Sequence, residues 1–194
     1  MGKKVLVAMS GGVDSSVAAL LLKNEGYDVS GVTMCLGIAT DDDTKCCGAS
    51  AIEDAKRVCD RLKIHHYVFD YASQLENKVI ANFISEYQKG RTPNPCVECN
   101  RSLKFGTLLD KALALGFDFL ATGHYAAIDK NENGYCLMRP KDKKKDQTYF
   151  LYAIPLKRLR HVLFPLAHFT KDEVRDLAKQ HSLPVAAKQE SQDI

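Results

Sequence analysis

The chain has 194 residues, is 45% apolar and carries a formal net charge of +3, which provides for a real core, excludes a disordered chain and leaves any RNA contact to local patches. No stretch reaches the roughly 18 uncharged apolar residues of a membrane helix, and MGKK leads into a strand without a signal-peptide core, so the expected address is cytoplasmic, with no membrane partner. Seven cysteines in such a chain read as thiols, metal ligands or catalytic groups rather than a disulfide framework.

Residues 5–9 form a short β-rich run, after which Val13, Val17, Ala18, Leu20, Leu21 and Leu22 recur at helical spacing until Gly26 stops them. A second strand covers residues 29–34, followed by the polar loop DDDTKCCG. A helix from about residue 50 to 62 then carries Ile52, Ala55, Val58, Cys59 and Leu62 on one face. HHYVFDY is the third strand, with His65 and His66 read as strand packing.

The next helix spans residues 74–87, and GRTPNPCVECN, with its prolines, reads as a loop. Helix returns over residues 105–115, Gly116 caps it, and FDFLATGHYA reads as a strand ending in a glycine turn. Three alternations of strand and helix predict an α/β fold with a parallel sheet and helices on both faces. Beyond it, residues 127–129 and 135–139 form a hairpin through NENG, leading into the lysine-rich KDKKKDQTYF. Thr170 and Glu173 make a capping box for a helix over residues 171–180 that ends before Pro184.

The stretch Met9-Ser10-Gly11-Gly12-Val13-Asp14-Ser15 falls where the first strand hands over to its helix, the place at which parallel sheets bind ligands. Two glycines let backbone N–H groups approach a phosphate. Ser10, Ser15 and Ser16 add hydroxyls, and the helix N-terminus adds positive potential. The loop has no lysine, unlike the GxxxxGK[ST] loop of γ-phosphoryl transfer, which suits a grip on pyrophosphate as a leaving group. Asp14 is awkward beside phosphate unless it caps the helix or helps to hold Mg²⁺.

Cys96 and Cys99 stand in C-x-x-C spacing among prolines, a pattern shared by half zinc sites, redox pairs, iron–sulfur ligands and thiolate nucleophiles. Cys59 and Cys136 are read as packing residues, while Cys35, Cys46 and Cys47 stay open. An adenylating loop combined with a cysteine pair suggests that ATP activates an oxygen which sulfur then replaces.

The phosphate loop, SGGxDS after an apolar strand, resembles that of the PP-loop ATP pyrophosphatases. Taken in order, AMSGGVDSSVAALLL, GVTM, GRTPNPCVECNRSLKFG, DFLATGHYA, KDQTYFL and FPLAHFTKDEVRDLAKQHSLPVAAKQESQDI resemble the tRNA-specific 2-thiouridylase (MnmA) family over nearly the whole chain. The resemblance implies a Rossmann-like fold and an ATP site made by Ala8, Met9, Ser10, Gly11, Gly12, Val13, Asp14 and Ser15, with Met34 and Gly123 around adenine and ribose. It implies that Asn94, Pro95 and Cys96 lie beside the target base, that Cys99 is the first catalytic cysteine, and that His124, Lys145, Asp146 and Gln147 face tRNA. Asp14 and Cys96 join Cys99 as expected catalytic residues.

The implied reaction adenylates the C2 oxygen of a wobble uridine, with ATP and Mg²⁺ as cofactors, and then delivers sulfur from a cysteine persulfide supplied by a donor protein. Lys141, Lys143, Lys144 and Lys145 are candidates for RNA phosphates or for a solvated face. On this reading residues 1–140 are the catalytic domain, and residues 141–194 are a tRNA-facing segment that begins a linker.

Two departures stand out. Many family members carry aspartate at the position of Cys96, so its role stays open between acid–base chemistry, a disulfide with Cys99 and iron–sulfur ligation. The family places its persulfide-bearing cysteine immediately after S-Q-D-I, where this sequence ends at Ile194, so the chain reads as truncated relative to the family, either as a fragment or as a natural chain without that cysteine. The competing readings are another PP-loop ligase with an amine nucleophile and a non-catalytic ATP- or tRNA-binding module.

Overall fold

Val5, Leu6 and Val7 are fully buried, and successive strand residues point to opposite faces, so β1 (Lys4–Ala8) must be covered on both sides. The computed structural model describes residues 2–37, 49–132 and 134–189. Cys46, Cys47 and the closing SQDI lie outside the described residues. With β2 (Asp28–Cys35), β3 (His65–Asp70), β4 (Phe119–Thr122) and β7 (Val162–Leu163), β1 forms a sheet of order β3-β2-β1-β4-β7, parallel at every pairing. The expected α/β fold is the one the chain adopts.

On one face, α1 (Val13–Asn24) and α2 (Ala49–Leu62) bury Val17, Ala18, Val58 and Cys59 against Val5 and Val7. The other face carries Leu6, Val32 and Leu120 beneath two long helical segments. The first runs through α3 (Ala72–Leu75), a wide-turn π segment (Glu76–Ile80) and α4 (Ala81–Gln88). The second runs through α5 (Pro95–Glu98), a π segment (Cys99–Leu108) and α6 (Leu109–Ala114). The π segments share one apolar cluster through Val79, Leu103, Phe105 and Leu108, and Lys78 Nζ donates to Thr107 Oγ1 at 3.0 Å. Each fully buried leucine contributes about 1.5–3 kcal/mol.

The hairpin forms as expected, with β5 (Ala127–Asn131) antiparallel to β6 (Gly134–Met138). After it come α7 (Thr148–Leu151), α8 (Leu156–Leu159), β7 and α9 (Lys171–Gln180). The capping box is present in full: Thr170 Oγ1 accepts from Glu173 N, and the Glu173 carboxylate accepts from Thr170 N. Val174 and Ala178 of α9 are buried in the same core as α1, and β7 extends the sheet beside β4.

The segment read as a loop differs. Asn94 is extended, at φ −110° and ψ 106°, as a residue before proline should be, but Pro95 occupies the first helical position, where its missing N–H costs nothing. Asn94 Oδ1 caps that turn by accepting from Cys96 N at 3.0 Å and Val97 N at 3.2 Å. Cys96 and Cys99 therefore lie on helical turns. β7, two residues long, is too short for any periodicity to announce it.

Candidate active site

Strand order runs outward from β1 to β2 and β3 on one side and to β4 and β7 on the other. The carboxyl ends of β1 and β4 thus form the switch point at which a ligand crevice opens. Residues 9–12 leave β1 there, and Gly123 leaves β4. Gly11 has φ +71°, and a Cβ on it would stand 2.4 Å from Ala51 O, so only glycine fits. A Cβ on Gly123 would stand 2.6 Å from Ser15 N, so β4 presses its backbone directly onto the start of α1.

The loop is tied to itself. Ser15 Oγ accepts from Ser10 N at 3.2 Å and lies 3.3 Å from Ser10 Oγ, while Ser16 Oγ donates to Gly12 O at 2.7 Å. Gly12 is the N-cap of α1, and no side chain caps that end. Its first N–H groups are the donor set an anion requires, with the Ser10 hydroxyl beside them, while the Ser15 and Ser16 hydroxyls donate to Gly12 O.

Asp14 does not cap the helix. Its two carboxylate oxygens each accept from Lys171 Nζ at 2.7 Å, and Tyr125 OH donates to Oδ1 at 3.0 Å. Lys171 is the first residue of α9, 157 positions along the chain, and is only 11% exposed. A second distant lysine arrives nearby, with Lys188 Nζ donating to Gly11 O at 3.2 Å and to Asp54 Oδ2 at 2.6 Å. Burial raises the Asp54 carboxyl, but hydrogen bonds from Lys188 and Arg57 outweigh it and leave Asp54 below the usual carboxylate range. The sequence reading missed Lys171, Lys188, Tyr125 and Asp54. The one signal available was a lysine at the N-terminus of a capped helix, against the helix dipole, which calls for a carboxylate elsewhere.

Met34 is buried near the end of β2, and Ala8 closes β1. His124 follows Gly123, with Nδ1 2.7 Å from Thr122 Oγ1 and its ring 6.1 Å from Phe105 and 6.2 Å from Phe164. Burial, reinforced by Lys104, holds its imidazole well below the ordinary value of 6.5. Gln147 clasps the same turn: Tyr125 N donates to Gln147 Oε1 at 2.9 Å, and Gln147 N to Tyr125 O at 3.0 Å. Asp146 holds Thr148 and Arg139, Lys143 and Lys144 are exposed, and Lys145 is half-buried.

Cys96 and Cys99 are both half-buried and stand three residues apart on one helix, hence on the same side of it. Beside Asn94 and Pro95 runs a groove of about 290 Å³ walled by Phe83, Tyr149 and Tyr152. A larger recess of about 610 Å³ lies between Gly37 and the start of α3, and residues 10–15 line neither. Lys171 and Lys188 reach the phosphate loop at the Asp14 carboxylate and at Gly11 O. Among the remaining thiols, burial pushes Cys59 up to about 12, an inert packing group, and Cys136 lies against Asp129 O in the hairpin.

These residues suit a polyphosphate: hydroxyls, backbone N–H groups and two ammonium groups converge on one loop. They suit an iron–sulfur cluster poorly, since Cys96 and Cys99 supply two of the four thiolates such a cluster takes, and the described residues contain no group of three metal-ligating side chains. For Mg²⁺, which takes one or two carboxylates plus phosphate oxygens, Asp14 is the carboxylate at the loop.

The fold is α/β with a parallel sheet, and the strand, glycine turn and helix at its switch point are of the PP-loop kind. A 4-thiouridine synthetase solved with RNA and ATP superposes with a TM-score of 0.64 at 18% identity, covering 99% of this chain and 44% of that one. The NH3-dependent NAD synthetase of Campylobacter jejuni superposes at 0.57 and 19% identity, covering 96% and 67%, so the shared architecture alone does not choose a nucleophile.

The family profile described as "tRNA methyl transferase HUP domain" matches residues 3–194, and the chain belongs to that family. The tRNA-specific 2-thiouridylase MnmA 1 of Syntrophus aciditrophicus is 62% identical over 193 residues, 99% of this chain and 52% of that protein. The chain thus spans about half the length of the curated relatives it matches. Among the described residues no helix is long and apolar enough to cross a membrane.

Proposed function

We propose that this chain is the ATP-binding and base-activating half of a tRNA 2-thiouridylase acting in the cytoplasm. The observation that supports this best is 62% identity to a protein of that name over 193 residues that include both the phosphate loop and the Cys96–Cys99 helix. In the proposed reaction the C2 oxygen of a wobble uridine attacks the α-phosphorus of ATP, and the bond to the leaving pyrophosphate breaks. The terminal sulfur of the persulfide then attacks C2, the C2–O bond breaks and AMP departs. A second cysteine thiol attacks the carrier sulfur, so that the S–S bond to the base's sulfur breaks, a disulfide between the two cysteines forms and the thiouridine is released.

Each residue contributes something the fold prepares. Ala8 to Ser15 hold the phosphates through backbone and hydroxyl donors, while Met34 and Gly123 flank the nucleoside. Mg²⁺, when bound, neutralises phosphate charge during the attack. Asn94 and Pro95 set the helix that carries Cys96 and Cys99 beside the base, with Cys99 the thiol that handles sulfur. Lys145, Asp146 and Gln147, with exposed Lys143 and Lys144, face the tRNA. His124, neutral at physiological pH, supports the turn between the two sites. The sulfur reaches this centre from a persulfide carried by a donor protein.

The test is release of AMP and pyrophosphate from Mg-ATP, with and without unmodified tRNA bearing a wobble uridine. Formation that depends on tRNA is expected, and Cys99→Ser should leave it intact while abolishing thiouridine in a full-length protein. Continued thiouridine formation by Cys99→Ser removes Cys99 from the mechanism. Adenylation of a small-molecule acid in place of tRNA would assign the chain to the ligases that use an amine.

A further inference from the structure

Lys171 and Lys188 each meet a carboxylate, whereas Lys104, half-buried in the π segment that begins at Cys99, forms no ion pair or hydrogen bond among the described residues. A partly desolvated ammonium without an anion is unfavourable, so its position calls for one. In a π segment the hydrogen-bonded neighbour lies five residues on, so Lys104 stands one wide turn beyond Cys99. Helical side chains lean toward the N-terminus, which turns its long stem back toward that sulfur. Burial first, and then the Lys104 charge, hold the His124 imidazole below its ordinary value, which puts the ammonium beside the Gly123–His124 turn. His124 packs on Phe105, a member of the apolar cluster against which Cys99 also packs, so ammonium, imidazole and thiol border one cluster.

We propose that the Lys104 ammonium faces the Cys99 sulfur and holds it as a thiolate. This role rests on the thiouridylase reading above and deepens it, by naming the group that makes Cys99 nucleophilic. On that reading Cys99 attacks the carrier sulfur: its proton passes to solvent, its sulfur bonds the carrier sulfur, and the S–S bond to the base's sulfur breaks with the electron pair left on the thiouridine. The thiolate performs such an attack, and an adjacent ammonium supplies it near neutral pH. Lys104 is thus a positioning residue that acts through Cys99.

The other charges on the elements packed against this helix are engaged elsewhere. Glu98 binds Arg101 and Ser102, Asp110 binds Arg158, Lys78 donates to Thr107, and Lys111 lies over the Phe69 ring. Glu76 of the facing π segment lines the larger recess, α3 and α7 carry no charge, and His124 is neutral. The Cys96 thiol, on the same side of the helix, is the other group that titrates with Cys99.

The pH profile of Cys99 alkylation by iodoacetamide tests the proposal, read by mass spectrometry of the Cys99 peptide on the whole chain in a Cys96→Ala background. Lys104→Met should raise the midpoint of that profile by about one pH unit, while the plateau rate at high pH stays within roughly threefold of the parent. Lys104→Gln, which removes the charge but keeps a hydrogen-bonding end, should raise it as far. Lys104→Arg should keep the parent's midpoint. An unchanged midpoint in the Met and Gln variants overturns the proposal. If only the plateau falls, Lys104 shapes access to the thiol; if only stability falls, it serves the buried Asn100 Oδ1, an acceptor one turn earlier that has no partner. Either result overturns the proposal as well. A raised midpoint combined with continued thiouridine formation by full-length Cys99→Ser upholds the pairing and removes only the role of Cys99 in the reaction.

Discussion

The two ends of the candidate site are built differently. At the phosphate end, Ser10, Asp14, Ser15 and Ser16 all bond within the chain, Gly11 and Gly123 have no room for a methyl group, and fully buried Val17, Ala18 and Ala19 lie behind. At the cysteine end, α4 buries none of its residues, and Tyr87, Tyr149 and Tyr152 are more than 60% exposed at 62%, 64% and 68%. Asn94, which sets the cysteine helix, does so with one side-chain oxygen. On the proposed function, the grip on a small anion is finished by folding, because an anion needs fixed dipoles. The surface proposed to handle the base is left open, as a surface for a large polymer must be, and its aromatic rings offer faces on which bases could stack.

Changes at the phosphate end should therefore damage folding and binding together. Gly11→Ala is expected to have the largest effect: a positive φ at a non-glycine residue plus a Cβ driven into Ala51 backbone should cost roughly 3 kcal/mol or more in urea unfolding. Gly123→Ala should cost about 1–3 kcal/mol by pushing α1 off β4, with ATP binding lost. Wild-type ATP affinity in a folded Gly123→Ala chain would show that the crevice lies elsewhere. Asp14→Ala should abolish AMP formation; normal turnover by that variant would remove the phosphate-loop assignment.

At the cysteine end stability and function should separate. Asn94→Ala loses the cap and should cost about 1 kcal/mol, whereas Asn94→Ser keeps a capping oxygen and should be stable within a few tenths. If Asn94 also reads the base, tRNA-dependent AMP formation should fall in both variants. Full activity in Asn94→Ser with loss in Asn94→Ala would make it a cap alone.

What was legible in the sequence follows the same division. The β1–loop–α1 unit, the capping box and the hairpin could be read from residue types because local chemistry decides them. Pro95 misled because one residue type both breaks and opens helices, and only the geometry of Asn94 distinguishes the cases. The π segments left no signal, since their side chains keep a helical pattern while the wide turns arise from packing of one segment on the other. Lys171 and Lys188 could not be placed at the loop because 157 and 177 residues separate them from their partners Asp14 and Gly11.

The smallest expected effect concerns where the two ends meet. His124 follows the Gly123 turn of the phosphate side and packs on Phe105 of the cysteine helix, and burial holds it neutral; His66, 2.9 Å from Thr33, is likewise lowered by burial. Their folded-state values lie below 6.5, so between that pH and the folded values the unfolded chain binds more protons than the native one. Stability is then fully present above pH 6.5 and falls as pH drops, by at most about 1.4 kcal/mol per pH unit for each histidine. The lowered carboxylates Asp54, Asp142 and Glu173 add their own loss only near and below their ordinary values of 3.8 to 4.5, leaving the interval down to pH 5 to the histidines. Urea unfolding at pH 7.5, 6.5, 5.75 and 5.0 (about these values) should give a shallower slope for His124→Gln than for wild type, whatever its absolute stability. An identical slope would mean that His124 is protonated in the native chain, and the turn joining the two ends would then be more open to water than its packing on Phe105 and Phe164 implies.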